Sequence, residues 1–379
     1  MTLQGVRVAA IFGGTSPEHE ISVITACQAM PVMGELGARV IPIYITKRGR
    51  WLTDPSFSDL TTFRRALPEA GDPVVLDLEA GIFRQGATSR LRSPRELPAD
   101  VVFPLTHGGQ GEDGVLAALG QLARIPVVGC GVLAGALAMD KFRSKQLLQS
   151  LGVPVVGARL ARSKEQALEG AAALAWPLVV KPNRSGSSIG VSLVETGAQL
   201  EQAVELAFQF DWEVILEPAV KGAQDLNCAI RSCGTPRASE VERPLKGLGV
   251  LSYEEKYAPQ GKLLPKGQDG KGDPRRELPA EIPSQLRQEI QRLSASAFEW
   301  LGCRGTARVD FLLSDGGELY LNEVNTIPGS LAFYLWEASG VSFPALLEDL
   351  INEAMAPPPA VQLVLPGNLL AEHAVLGKR

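Results

Sequence analysis

The residues best spaced for chemistry lie between Arg308 and Gly329, in the stretch RVDFLLSDGGELYLNEVNTIPG. Two alternating runs, RVDFLL and ELYLNEVN, flank a Gly-Gly pair, which signals a β-hairpin. With Gly316 and Gly317 as the turn, Asp310 lies opposite Glu323, Arg308 opposite Asn325, and Leu312 opposite Leu321. Side chains alternate along a strand, so these groups share one face. Like charges directly opposed at about 4.5–5.5 Å destabilise a strand pair unless something compensates them. A hard divalent cation does so through oxygen ligands, and Asn325 supplies a further oxygen. An ion-pair cluster centred on Arg308 is the alternative use of the same groups. The run NTIPGS then ends in an X-Pro-Gly turn whose backbone N–H groups can hold an anion. The stretch reads as a site for magnesium and a nucleotide phosphate.

The elements that must position this site follow in order. VRVAAIF is a buried strand, followed by the turn GGTSPEHE and a helical run to Leu36. Strand, glycine-rich turn and helix place backbone N–H groups where they meet an anion or carboxylate. Glu18 and Glu20 there can equally serve only the helix dipole. Residues 47–98 elaborate this first unit, with a hairpin around VVLDLEAGIFR. ADVVFPLTHGGQGEDGVLAALGQL repeats the strand–turn–helix layout and leaves His107 at a carboxyl edge, where open α/β sheets bind ligands.

From Gly129 the chain turns helical, through AGALAMDKFRSKQLLQSLG. Helix EQALEGAAALA, strand LVVKP, loop NRSGSSIGVS, strand SLVE, helix QLEQAVELAFQF and strand EVILEP then form a small α+β unit. The loop Asn183–Gly190 can close over phosphates, with Lys141 and Lys181 as neutralising charges. Residues 225–231 form another strand. The segment from Leu245 to Arg276 lacks periodicity and reads as a functional lid. Helix PSQLRQEIQRLSASAFEWLG leads into the hairpin, and PALLEDLINEAMA is the last helix.

With 379 residues, 45% hydrophobic and 21% charged, the chain has room for two or three cored domains. No apolar run nears the roughly 20 residues that span a bilayer, and no signal peptide is evident. A net charge of -5 without a basic block argues against nucleic acid. Five scattered cysteines without metal-ligand spacing suit a reducing cytoplasm.

GGTSPEHE, HGGQGEDG, MDKFRSK, VKPNRSGSSIG, EEKY, RVDFLL and NEVNTIPG stand in one order. Together they resemble the D-alanine–D-alanine ligases of the ATP-grasp superfamily, over about Val6 to Ala354. The resemblance implies an α/β chain with α+β elements in a three-domain ATP-grasp architecture. An N-terminal open α/β sheet (1–129) precedes two ATP-clamping domains (130–219 and 220–356) and a tail (357–379). It implies that ATP phosphorylates one D-alanine and that a second attacks the acyl phosphate. Glu18, Ser187 and Tyr257 match the triad that ties the lids shut. Arg308 and the Gly329 N–H match the group that stabilises the tetrahedral intermediate.

His107, Lys256 and Ser330 match substrate-facing positions. Lys141, Lys181, Ser187, Ser188, Glu217, Val220, Asp225, Lys256, Asn322 and Glu323 match ATP-binding ones. Asp310, Glu323 and Asn325 match the ligands of two magnesium or manganese ions. A cytoplasmic homodimer without membrane or nucleic-acid partners is implied as well. Three departures stand out. Pro218 replaces a usual lysine, Asp225 or Gln224 takes the ribose position, and the segment after Gly329 is short, with Ser330 as its nearby hydroxyl. That last change leaves D-lactate, D-serine or another amino acid as alternative acceptors, while Tyr257 favours an amine.

Overall fold

The computed structural model describes residues 3–86, 94–232, 234–245 and 276–356. Of the expected lid from Leu245 to Arg276, residues 246–275, with Lys256 and Tyr257, lie outside the described residues, as does the tail from 357. Strand β1 (Arg7–Gly13) is apolar on both faces and is paired on both sides in the first sheet. Helix α1 (His19–Glu35), β2 (Arg39–Ile45), β3 (Trp51–Thr53), the short α2 (Thr61–Arg65), β4 (Asp72–Asp77), β5 (Ile82–Gln85), β6 (Arg95–Leu97), β7 (Val101–Pro104) and α3 (Val115–Ala123) follow.

Their sheet has the order β6-β5-β4-β3-β2-β1-β7. The β2–β1–β7 end is parallel, and β3 to β6 add an antiparallel wing. The elaboration read between residues 47 and 98 is that wing, with the expected hairpin as β4–β5.

Helices α4 (Val132–Met139) and α5 (Lys141–Ser150) meet at Asp140, whose side chain caps α5 by accepting from Arg143 N. Next come β8 (Arg159–Ala161), α6 (Lys164–Ala172), β9 (Leu178–Pro182), β10 (Ser192–Val194), α7 (Gly197–Phe208) and β11 (Val214–Pro218). They form an antiparallel sheet of order β10-β9-β11-β8, backed by the apolar faces of α6 and α7.

The third sheet, β14-β13-β12-β15-β16, is antiparallel throughout. It comprises β12 (Gln224–Arg231), β13 (Arg237–Pro244), β14 (Arg276–Glu277), β15 (Thr306–Leu313) and β16 (Leu319–Asn325). Helix α8 (Ser284–Trp300) packs Ile290, Leu293, Ala297 and Phe298 on one side of it. Helices α9 (Phe333–Ala338) and α10 (Phe343–Met355) instead share a core with α1, through Met33, Trp336, Leu346 and Leu350. Among the described residues no helix is long and apolar enough to cross a membrane.

The hairpin pairs Arg308 with Asn325 and Asp310 with Glu323, as its spacing predicts. Two details differ. The turn has three residues, Asp315 to Gly317, because Ser314 N bonds Glu318 O and Gly317 takes φ +88°. One extra turn residue would slip the register, and Asn322 restores it by bulging out of β16. Leu312 therefore faces Tyr320, and Phe311 faces Leu321.

Phe311 is fully buried in the core that holds the hairpin. Phe311→Ala is expected to cost about 3–5 kcal/mol, measured as a lowered denaturation midpoint of the full chain.

Candidate active site

The hairpin's polar face continues across the third sheet. Glu242, Asn227, Asp310 and Glu323 are successive cross-strand neighbours on β13, β12, β15 and β16. Asn227 Nδ2 donates to Glu242 Oε1 at 3.0 Å, and the Tyr334 hydroxyl donates to the same oxygen at 2.8 Å. Arg308 grips Asp310 with two parallel bonds of 2.6 and 2.7 Å, and Asn325 Nδ2 adds a third at 3.0 Å. Burial works against the guanidinium charge, but Asp310 outweighs it and holds Arg308 protonated. The ion-pair cluster is thus present, and it uses the Asp310 oxygens proposed for the metal. Among the described residues no group of three His, Cys, Asp or Glu side chains is gathered as a ready metal cage. The donor set of Asp310, Glu323 and Asn325 is nonetheless all hard oxygen, with two carboxylates opposed, and fits a magnesium-like ion.

The cations come from the layer facing this sheet. Lys141, at the start of α5, lies 3.4 Å from Glu323 and donates to the Ser185 carbonyl at 2.5 Å. Lys181, at the end of β9, lies 2.8 Å from Glu217 and 3.3 Å from Asn322 Oδ1, the bulged residue. Glu217 also pairs with Lys145. Burial pushes the Glu217 carboxyl up, but the two lysines outweigh it and hold it below its ordinary value. Burial lowers Lys145 to about 8.

Lys145 escaped the sequence reading. Its signal was the four-residue spacing from Lys141, which puts both on one face of α5. Val220 and Asp225 sit in the turn and first residues leading into β12. Asp225 pairs with Leu312 across β15.

Glu18 opens α1 and is 8% exposed. Ser187 donates its hydroxyl to Glu18 Oε1. Ser187 and Ser188 both take left-handed backbone conformations, φ 52° and 59°, which aim the loop at that carboxylate. The loop approaches so closely that a Cβ on Gly186 would meet Glu18 Oε2 at 2.4 Å. A Cβ on Gly108, from the opposite side, would meet the same oxygen at 2.4 Å. The carboxylate is thus held between two glycines, one on each loop. The third expected member of this group, Tyr257, lies outside the described residues.

His107 is buried, 4% exposed. Its Nε2 is 2.8 Å from Thr25 Oγ1, and the ring also interacts with the Ile327 backbone. Burial holds the imidazole down at about 4, and Arg308 adds to this against the Ile327 bond. Glu112, also missed in the sequence, accepts from Gly108 N at 2.8 Å and Ile327 N at 3.1 Å. Burial and the neighbouring Glu18 push its carboxyl up to about 8. It pins the His107 turn to the NTIPG loop.

Beyond Gly329 the chain makes a left-handed run, Ser330, Leu331 and Ala332, with φ 52°, 54° and 50°. Each such residue costs on the order of 1–2 kcal/mol in isolation, so the surroundings must enforce it. Leu331 and Ala332 are buried, and Ser330 N donates to Thr25 Oγ1 at 3.0 Å.

Two family descriptions match the chain, D-ala D-ala ligase N-terminus over residues 7–130 and D-ala D-ala ligase C-terminus over 147–352. The chain belongs to the D-alanine–D-alanine ligase family. The D-alanine–D-alanine ligase of Thermosipho africanus is 34% identical over 92% of this chain and 93% of its own length. That of Mycobacterium bovis is 38% identical over 93% of this chain and 96% of its own length. Among solved structures, the VanG D-Ala:D-Ser ligase of Enterococcus faecalis superposes with a TM-score of 0.75 at 31% identity, covering 93% and 100% of the two chains. The D-alanine–D-alanine ligase of Coxiella burnetii gives 0.73 at 27% identity, covering 93% and 94%. The α/β ATP-grasp reading and the ligase class drawn from the motifs therefore stand.

Two outcomes follow for this family member. Gly186→Ala forces its Cβ onto a carboxylate that Gly108 prevents from retreating, and turnover should fall on the order of a hundredfold, read as ATP-dependent phosphate release. The unfolded chain protonates His107 near pH 6.5, whereas the folded protein resists until about 4. Stability from this group is complete above the unfolded value and is lost as pH falls through that window. Thermal melts between pH 7 and 4 should fall less steeply for His107→Gln than for the wild type.

Proposed function

We propose that the protein joins two molecules of D-alanine, with ATP hydrolysed to ADP and phosphate, to supply D-alanyl-D-alanine for peptidoglycan. The observation that carries this is Lys141, which bridges Glu323 of the hairpin and the Ser185 carbonyl of the serine loop. Cation, opposed carboxylates and phosphate-covering loop meet at one point.

In this reading Glu18 orients the ammonium of the first D-alanine, and Ser187 and Tyr257 complete its hydrogen-bonded group. The γ-phosphate is transferred to the first substrate's carboxylate, and two anions can approach only if cations neutralise them. Lys141, Lys181 and Lys256 take that part, and Ser188 and Asn322 join them in binding ATP. Glu217, Val220 and Asp225 hold the adenosine end. Asp310, Glu323 and Asn325 would hold the divalent ions, magnesium or manganese, which would supply further charge neutralisation.

The amine of the second D-alanine then attacks the acyl phosphate. Arg308 and the Gly329 N–H stabilise the oxyanion, phosphate leaves, and His107 and Ser330 border the substrates. In this reading the domains meet near residues 129 and 219, and the protein works in the cytoplasm as a homodimer.

Phosphate release from ATP and Mg²⁺ with D-alanine as sole amino acid, and dipeptide on a chromatogram, is the expected result. Release only with added D-lactate or D-serine would move the acceptor assignment to the segment after Gly329. Glu323→Gln should abolish magnesium-dependent turnover with an unchanged melting temperature. Near-normal activity in that variant would remove the metal assignment.

A further inference from the structure

Thr25 has no part in the reaction described so far, yet it is 1% exposed and touches both His107 and the shortened loop after Gly329. The protons in this chain of contacts can be placed. The Ile327 carbonyl can only accept, so the His107 nitrogen facing it carries hydrogen. In the neutral ring the other nitrogen, Nε2, is then a bare acceptor. Thr25 accepts from the Ser330 N–H, and a hydroxyl that accepts once still has one proton to give. That proton goes to His107 Nε2 at 2.8 Å. The order is Ser330 N–H to Thr25 Oγ1, Thr25 O–H to His107 Nε2, and His107 Nδ1–H to Ile327 O. Every group in it is satisfied, and reversing one link leaves two protons or two lone pairs facing each other.

The position of Thr25 on α1 gives the chain its purpose. Glu18 and Thr25 are seven residues apart, two helical turns, so they address one side of the helix about 10 Å apart along its axis. Between them Ile21 comes within 4.0 Å of where a Cβ on Gly329 would stand. One rigid face therefore meets the carboxylate that orients the first substrate and the backbone that borders the second. The Ser330 N–H bond also pins the first residue of the left-handed run, where the chain would otherwise relax.

We infer that Thr25 is a positioning residue for the acceptor subsite, fixing the loop at Ser330 and His107 as its Nδ1–H tautomer through one hydroxyl. This deepens the functional reading above and rests on it for the identity of the acceptor.

The test compares Thr25→Val, which keeps the shape and removes the hydroxyl, with Thr25→Ser, which keeps the hydroxyl. Initial rates with D-alanine separate the constants for donor, acceptor and ATP. Thr25→Val should raise the acceptor constant about tenfold, the usual scale for one lost hydrogen bond, with the other two constants unchanged. Thr25→Ser should restore the acceptor constant to within about twofold. An unchanged acceptor constant in Thr25→Val, an equal rise in all three, or no rescue by serine would overturn the inference.

A second measurement does not depend on turnover or on any variant. The chain has three histidines, so ring ¹⁵N spectra of the wild-type protein at pH 7 can be assigned to each. His107 is expected as the neutral Nδ1–H form. A protonated Nε2 would overturn the inference even in an active enzyme, whereas an inactive wild type with the expected tautomer would count against the substrate reading instead.

Discussion

Two carboxylates set directly across a strand pair are the constraint from which the rest of this structure follows. Asp310 and Glu323 repel each other on the β15–β16 hairpin, and each is matched by a cation from a different direction. Arg308 takes Asp310 from the same strand, and Lys141 approaches Glu323 from α5. Because Lys141 also holds the Ser185 carbonyl, the serine loop is drawn to the hairpin. That loop reaches Glu18, which opens the helix packed on the first sheet. A local electrostatic problem is thereby solved by contacts that join all three sheets. The same pattern recurs at Glu217, buried between Lys145 and Lys181, where leaving any partner unmatched would cost far more than the pair itself returns.

Much of this was legible in the sequence where a local rule decides the outcome. Strand LVVKP is β9 residue for residue, because a short apolar run before a polar loop has few other uses. The opposition of Asp310 and Glu323 was read correctly by way of two details that were not: a turn one residue longer than assumed and a bulge at Asn322 that absorbs it. Neither irregularity has a signature in a single sequence, and only their cancellation preserved the pairing.

What escaped has a common cause. RASEVERP forms β13, yet its Glu240, Glu242 and Arg243 hide any alternation, since the face that should be apolar turns Glu242 toward the polar row. FYLWEA is a helix of six residues, too short for periodicity to register. Lys145 and Glu112 look like solvated charges until the tertiary fold supplies Glu217 for one and two backbone N–H groups for the other. Buried charges acquire meaning from partners distant in the chain, and spacing cannot reveal those partners.

The cancelling irregularities in the hairpin carry a consequence for how such a segment can change over time. Side chains on a strand alternate with strict parity, so a residue gained or lost within either strand exchanges the inner and outer faces beyond it unless a bulge absorbs it, whereas one gained or lost in the turn leaves every pair from Ser314–Glu318 back to Asp310–Glu323 in place. Turn length and the bulge are therefore separable: a descendant can shorten the tip while the bulge stays as it is. The bulge, however, aims Asn322 at Lys181. A hairpin free to vary in length at its exposed tip is thus fixed in length at the bulge, by a side chain that reaches another sheet.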